Sequence, residues 1–155
     1  MDKKGFTLVE LLIVLGIIAI VLTIILVLLD PPRRFAEARD AHRASDVESV
    51  IHAIRIDEVD HAGYSTAAIY TLYPGNNYQI GTCISGGEFC GNMLTEESCV
   101  DLSRLRDQGY LGKIPVDYLY GTTEKTGYYI RRNTNGSLAV GACYPERTDE
   151  IEVTR

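Results

Sequence analysis

Several features that would indicate catalysis or nucleic-acid binding are missing from the sequence. It contains no glycine-rich phosphate loop, no nucleophile elbow and no pair of carboxylates placed for acid–base chemistry. The net charge is −6, so the surface on average repels phosphate groups. We therefore expect no enzyme, no cofactor and no nucleic-acid partner.

Histidine is scarce and tryptophan is absent. The three histidines, His42, His52 and His61, are never three or four residues apart, so no two of them share a helix face as metal ligands do. The ten tyrosines suit partly exposed packing, in which the phenol stays in contact with water. The sequence therefore predicts no metal site.

Charge is nearly absent from residues 6–29. Glu10 is the one charged residue of this run, and a helix of that length spans about 36 Å, enough to cross a bilayer. A carboxylate in such a span costs about 1–3 kcal/mol, so Glu10 should have a partner. One candidate is the ammonium that cutting after Gly5 would create at Phe6 of a neighbouring copy, which would fix the axial stagger between copies. The alternative is that Glu10 lies at the headgroup level and reaches water.

Residues 5–14 have the sequence Gly-Phe-Thr-Leu-Val-Glu-Leu-Leu-Ile-Val and follow a short leader with two lysines. This pattern resembles the type III signal of type IV pilins and type II secretion pseudopilins. The resemblance implies that prepilin peptidase cuts after Gly5 and methylates the new amino terminus at Phe6, which makes Glu10 the fifth residue of the mature subunit. A secretory signal peptide would have a shorter apolar core and a small-residue cleavage site. An ordinary signal anchor would fit the length but would require neither the glycine–aromatic pair nor the acid.

The same resemblance implies a location and a set of partners. The partners would be prepilin peptidase, the assembly platform with its ATPase machinery, and further copies of the chain in a helical filament. The chain would first span the inner (cytoplasmic) membrane once, with its leader in the cytoplasm, and would then enter an extracellular or periplasmic filament. Basic residues flank the span on both sides, so charge alone does not set this orientation.

The predicted fold is α+β, in which a long N-terminal helix packs on a small C-terminal antiparallel sheet, as in pilins. The expected parts are a leader at residues 1–5, a transmembrane and filament-core helix at 6–29, an amphipathic continuation of the helix at 30–62, and an exported globular domain at 63–155.

The continuation of the helix has two features of its own. Pro31 and Pro32 lack amide donors and clash with the preceding turn, so the helix should kink or unwind near residues 27–30. Beyond them, an apolar stripe at three- and four-residue spacing should hold the globular domain against the helix. The stripe consists of Ala38, Ala41, Ala44, Val47, Ile51 and Ile54.

Charged residues interleave with this stripe. Arg33 and Glu37 are spaced for an i,i+4 ion pair. The other charges either form a solvated helix face or meet neighbouring copies in a filament, and both interpretations remain open. The full set is Arg33, Arg34, Glu37, Arg39, Asp40 and Arg43.

Turn residues dominate residues 63–97, which indicates a connecting loop with one short strand at 78–82. Ser98, followed three residues later by Asp101, predicts a capped short helix that ends at Gly109.

The last third of the chain predicts a β-hairpin. Its strands are residues 127–132 and 137–144, and Asn-Thr-Asn-Gly joins them. This stretch, with Ile-Pro-Val-Asp at residues 114–117, resembles the tail of many pilin and pseudopilin domains, some of which bind calcium there. Asp117 is the one acid before Glu124, so oxygen ligands are sparse and calcium is not expected.

The cysteines predict disulfides. Their spacing lacks the close pairs of structural zinc sites, and an exported domain meets an oxidising compartment. Three pairings are possible and the sequence decides none of them. The four residues are Cys83, Cys90, Cys99 and Cys143.

The function we expect is structural: a subunit of a type IV pilus or of a type II secretion-like pseudopilus. The alternative is a minor or tip pilin that binds DNA or a surface, with Arg131 and Arg132 as candidate phosphate contacts. Whether the chain is a major or a minor subunit stays open.

Overall fold

The computed structural model describes residues 5–63 and 67–155. The chain divides into two compact units, Met1–Glu37 and Ala38–Arg155, called the N-terminal unit and the C-terminal unit below. Helix α1 comprises Leu8–Leu29, and helix α2 comprises Pro31–Asp60. The two elements that follow are short: α3 at Ala67–Tyr70 and α4 at Ser103–Asp107.

The predicted interruption of the long helix is confirmed at Asp30. This residue has a φ of 41°, in the left-handed region, and α1 ends immediately before it. Pro31 then opens α2, a position where the missing amide costs nothing because the first amides of a helix have no intrahelical acceptor.

The predicted α+β fold is confirmed. A four-stranded antiparallel sheet has the order β1-β4-β5-β6, and a separate two-stranded hairpin pairs β2 with β3. In the sheet, Ile130 lies opposite Tyr78 on one side and Val140 on the other. The strands are β1 Asn77–Gln79, β2 Phe89–Cys90, β3 Met93–Leu94, β4 Tyr128–Arg132, β5 Leu138–Ala142 and β6 Glu152–Thr154.

One hydrophobic core joins α2 to the sheet. Val47 and Ile54 of α2 are fully buried in the same cluster as Ile130 and Val140 of the sheet. Each such side chain stabilises the fold by about 1.5–3 kcal/mol relative to an exposed position. In addition, the Tyr128 hydroxyl donates a hydrogen bond of 2.6 Å to Asp46 of α2.

The predicted apolar stripe of α2 is wrong at its first two positions. Ala38 and Ala41 are exposed, whereas Asp40 and Arg43 are 6% and 3% exposed and occupy the inward face. The buried face keeps the helical spacing but continues through charged residues, because those charges have partners from distant parts of the chain. The predicted stripe is correct from Ala44 onward, since Ala44 packs against the core and Val47, Ile51 and Ile54 are buried in it.

Strand β1 corresponds to the short strand predicted at residues 78–82, although it begins and ends earlier. The rest of the region predicted as a connecting loop contains α3 and the β2–β3 hairpin, so that prediction is too simple. The predicted short helix starts later than expected, at Ser103, and its predicted cap at Ser98 is wrong, because Leu102 is the N-cap residue and makes no side-chain cap hydrogen bond. The carboxylate of Asp101 accepts hydrogen bonds from the Ser103 amide and hydroxyl. Val100 instead forms a parallel bridge with Ile80.

The C-terminal hairpin is confirmed, with β4 and β5 paired over five residues each. The turn is closed by the Asn133 amide, which donates to the Ser137 carbonyl at 2.8 Å. Strand β6, which pairs with β5 at the sheet edge, was not predicted.

The structure joins Cys83 to Cys99 and Cys90 to Cys143. The second bridge connects β2 to the residue after β5, and its partners are 53 residues apart. Bridges across 16 and 53 residues stabilise a small domain by about 3 and 4 kcal/mol if they act mainly by restricting the unfolded chain.

Candidate functional site

The segment around the predicted cleavage point is extended and exposed. Gly5, Phe6 and Thr7 precede α1 and lie at the surface, and open space surrounds Gly5. The rest of the leader, residues 1–4, lies outside the described residues. The Gly5–Phe6 peptide bond is therefore outside the helix and accessible, which are the conditions that proteolysis requires.

Helix α1 begins with a capping box. The Glu10 amide donates to the Thr7 hydroxyl at 3.2 Å, and Oε2 of Glu10 accepts from the amide and the hydroxyl of Thr7 at 3.1 Å each. Thr-x-x-Glu before an apolar run is the sequence signature of this motif, and it is the signal that the sequence analysis missed. Glu10 thus has a local partner, which neither of the two sequence interpretations included.

The capping box uses one carboxylate oxygen of Glu10. An ionised carboxylate has about four acceptor positions on its two oxygens, and Oε1 accepts no hydrogen bond from any residue that the structure describes. Phe6, its proposed partner on another copy, has an exposed side chain. The structure therefore leaves Oε1 available to a donor from outside the chain.

Helix α1 is apolar on every face. Leucine, isoleucine and valine make up 18 of its 22 residues, and none of the 22 is buried. Its one hydroxyl, on Thr23, donates to the Ala19 carbonyl at 2.8 Å. Within the described residues, this is the one helix that is long and apolar enough to cross a membrane, by length and composition. A helix that is apolar all round is stable only in lipid or among other helices.

A second notable site is a charged cluster in the C-terminal unit. Buried Arg43 binds three carboxylates: Nε is 2.6 Å from Asp117, and Nη1 is 2.9 Å from Asp40 and 2.8 Å from Glu146. Glu146 also accepts two hydrogen bonds from Arg39. These five residues, called the charged cluster below, tie α2 to the turn after residue 117 and to the segment after β5.

Backbone amides complete the cluster. Asp40 accepts hydrogen bonds from the amides of Glu146 and Arg147, the shortest at 2.7 Å. Asp117 accepts from the amides of Leu119 and Tyr120, both at 2.9 Å. The buried carboxylates are therefore satisfied, which is the condition under which charges persist inside a protein.

The cluster keeps its acids ionised. Burial alone would raise the pKa of Asp40 and of Asp117, but amide and guanidinium hydrogen bonds outweigh it and lower both pKa values. The hydrogen bond from Arg39 is the main cause that lowers the pKa of Glu146, to about 2. For the cation Arg43, burial acts in the opposite direction and would lower the pKa, but its three carboxylate partners raise that pKa above the usual value.

Both interpretations of the charged helix face fail at Asp40 and Arg43, which are neither solvated nor free to meet neighbouring copies. The expected Arg33–Glu37 pair is confirmed at 3.0 Å, and Arg34 joins it at 3.2 Å. Arg33 and Arg34 are both exposed, so each of their contacts with Glu37 is worth only a few tenths of a kcal/mol.

The candidate phosphate contacts are already engaged. Arg131 pairs with Glu152 at 2.8 Å, and Arg132 lies 5.9 Å from the centre of the Tyr70 ring.

The structure offers no ready calcium ligand at Asp117, the acid of the loop for which the sequence raised calcium binding, because Arg43 holds its carboxylate. Across residues 5–63 and 67–155, no group of three or more metal-ligating side chains is close enough to hold a metal ion.

All three histidines belong to the C-terminal unit. His42 is 3.1 Å from Asp46 and His61 is 3.0 Å from Asp57, each one turn away on or just after α2. His52 is exposed on the same helix.

Comparison with known proteins gave one family match. A family model described as the prokaryotic N-terminal methylation motif matches residues 1–26. Searches of the curated proteins and of the solved structures returned no match. The matched motif is the signal of type IV pilins and pseudopilins, and on a pilin-like α+β architecture it indicates that the chain is a type IV pilin-like or pseudopilin subunit.

Proposed function

We propose that the chain is a structural subunit that is stored in the inner membrane, cut after Gly5 by prepilin peptidase, methylated on Phe6 and assembled into a helical filament. The observation that supports this most is α1, which is apolar on every face and has no buried residue. Such a helix needs either lipid or other helices around it, and a filament core supplies the second environment.

The capping box of α1 is compatible with the cut. Its donors and acceptors belong to Thr7 and Glu10, which both remain after loss of residues 1–5. Cleavage creates an ammonium at Phe6 next to the helix N terminus, where the helix dipole disfavours positive charge. A carboxylate in the first turn offsets this, so Glu10 has a role even before assembly.

Assembly needs a specific contact because lipid and helix surfaces are equally apolar. Transfer of α1 from the bilayer to a helix bundle gains little from the hydrophobic effect, and packing and polar contacts decide the arrangement. The free Oε1 of Glu10 is the polar group that α1 offers. Its pairing with the Phe6 ammonium of a neighbouring copy would set the axial register, while the assembly platform and its ATPase would supply the work of extraction.

The substitution Glu10→Gln tests this role because it keeps the capping box, in which glutamine also serves, and removes the charge. We expect membrane insertion and cleavage to persist while filaments fall roughly tenfold, the effect of losing one interhelical polar contact. Filaments are counted by electron microscopy of sheared surface material.

The matched control is Thr7→Ala, which removes the cap and keeps the charge. We expect it to weaken the helix start by about 1 kcal/mol and to leave filaments close to the normal level. Normal filaments from Glu10→Gln would show that the charge does not set the register.

A further inference from the structure

The C-terminal unit displays three consecutive large apolar side chains at its surface. Tyr118, Leu119 and Tyr120 are 85%, 47% and 57% exposed. Residues 118–120 are called the aromatic turn below. Exposed apolar groups gathered in one place usually mark an interaction surface, and tyrosine is enriched among the residues that dominate binding energy.

The aromatic turn is held rigidly from beneath. Oδ1 of buried Asp117 accepts the amides of Leu119 and Tyr120, and the Asp117 carbonyl accepts the Gly121 amide at 3.0 Å. Oδ2 of Asp117 is fixed by Arg43, and the Tyr120 ring lies 4.6 Å from the Tyr144 ring. Because the turn is already ordered, a partner that binds it loses little conformational entropy.

An acidic groove of about 710 Å³ adjoins the turn. Tyr120 and Tyr144 line it together with the Cys90–Cys143 disulfide, and Asp149 and Glu150 add two carboxylates. Asp149 is exposed and has no ion-pair partner among the residues that the structure describes. Glu150 accepts a hydrogen bond from the Tyr129 hydroxyl, so Asp149 is the carboxylate of the two that is open to a new cation. Aromatic walls and an open carboxylate together fit a partner that carries both arginine and apolar side chains.

The chain carries such a segment itself. Arg33 and Arg34 have side chains that are 57% and 72% exposed, and Phe35 is 66% exposed. Their bonds to Glu37 are surface ion pairs, which are weak and easily exchanged for another carboxylate. Arg33 follows the end of α1 by four residues.

From this complementarity we infer that residues 33–35 of one copy dock onto the aromatic turn and the acidic groove of a neighbouring copy. The inference rests on the proposed function, because packed α1 helices are what bring copies side by side. Phe35 contacts the tyrosines, and Arg34 pairs with Asp149.

Charge exchange in the full-length chain tests the pairing. Asp149→Lys and Arg34→Glu should each lower the yield of filaments about tenfold, and the double variant should recover to within about threefold of the unchanged chain. Glu97→Lys, an exposed carboxylate outside the groove, is the matched control and should have no effect. The pairing would be overturned if either single variant gave the normal yield of filaments. It would also be overturned if the yield of the double variant fell by the product of the two single-variant losses.

A photo-crosslinker at position 118 locates the occupant directly. With isotope-labelled and unlabelled copies mixed, mass spectrometry should find position 118 linked to the peptide that contains Phe35 of another copy. Links to a different protein or to another region of the chain would overturn the inference. If the unchanged chain forms Glu10-dependent filaments but these links are missing, only the docking proposal fails. If the unchanged chain forms no filaments, the proposed function fails and the docking proposal fails with it.

Discussion

Glu146 is the residue through which the charged cluster responds to pH. It lies at the surface end of the cluster and bonds to Arg39 and Arg43 at once. The bond to Arg39 is the main reason that its pKa is lowered from 4.5 to about 2. A carboxyl with a lowered pKa stabilises the folded state fully above its unfolded pKa and loses that contribution as the pH falls through the folded pKa.

The substitution Glu146→Gln should therefore lower the melting temperature most at neutral pH. The difference from the unchanged chain should persist down to about pH 4.5 and should disappear as the pH approaches 2. Thermal unfolding followed by circular dichroism between pH 7 and 2 measures this. A difference that stays constant across that range would show that Glu146 does not act through its charge.

At the scale of elements, the β4–β5 hairpin depends on one glycine. Gly141 lies opposite Tyr129 in the sheet, and the Tyr129 ring is fully buried. A Cβ added at Gly141 would lie only 2.5 Å from the hydroxyl oxygen of Tyr129. The ring cannot easily move aside, because that hydroxyl is bonded to Glu152 at 2.7 Å. The close approach of ring and backbone therefore requires glycine.

We expect Gly141→Ala to destabilise the C-terminal unit by about 1–3 kcal/mol, the usual cost of overpacking. The matched control is Gly112→Ala, because a Cβ at Gly112 meets no atom within 4 Å, and its effect should stay within about 0.5 kcal/mol. Denaturant unfolding of both variants measures the difference. Equal stabilities would mean that Tyr129 repacks without cost.

The elements that the sequence predicted correctly are those with strong local signals. The Asn-Gly turn specified the β4–β5 hairpin, and Pro31 specified the end of α1. Strands β2 and β6 have two and three residues, too few for a periodic pattern to stand out. The inward face of α2 was misjudged near Arg43 because its partner Glu146 lies 103 residues away, and no local pattern reveals such a contact.

At the scale of the whole molecule, the two units suit different surroundings. The N-terminal unit exposes an apolar helix that needs lipid or other helices, whereas the C-terminal unit has its own core and both disulfides. The pattern Gly5, Phe6 and Glu10 was sufficient to predict the methylation motif that the family match confirms. What it did not reveal was the local bond between Glu10 and Thr7, although Thr-x-x-Glu was present in the sequence.

We propose above all that this chain is processed at Gly5 and then builds a filament. Mass spectrometry of the chain recovered from sheared surface filaments tests it most directly. We expect a subunit that lacks residues 1–5, begins at Phe6 and carries one added methyl group on that residue. Assembled filaments in which the chain still begins at Met1 would contradict it.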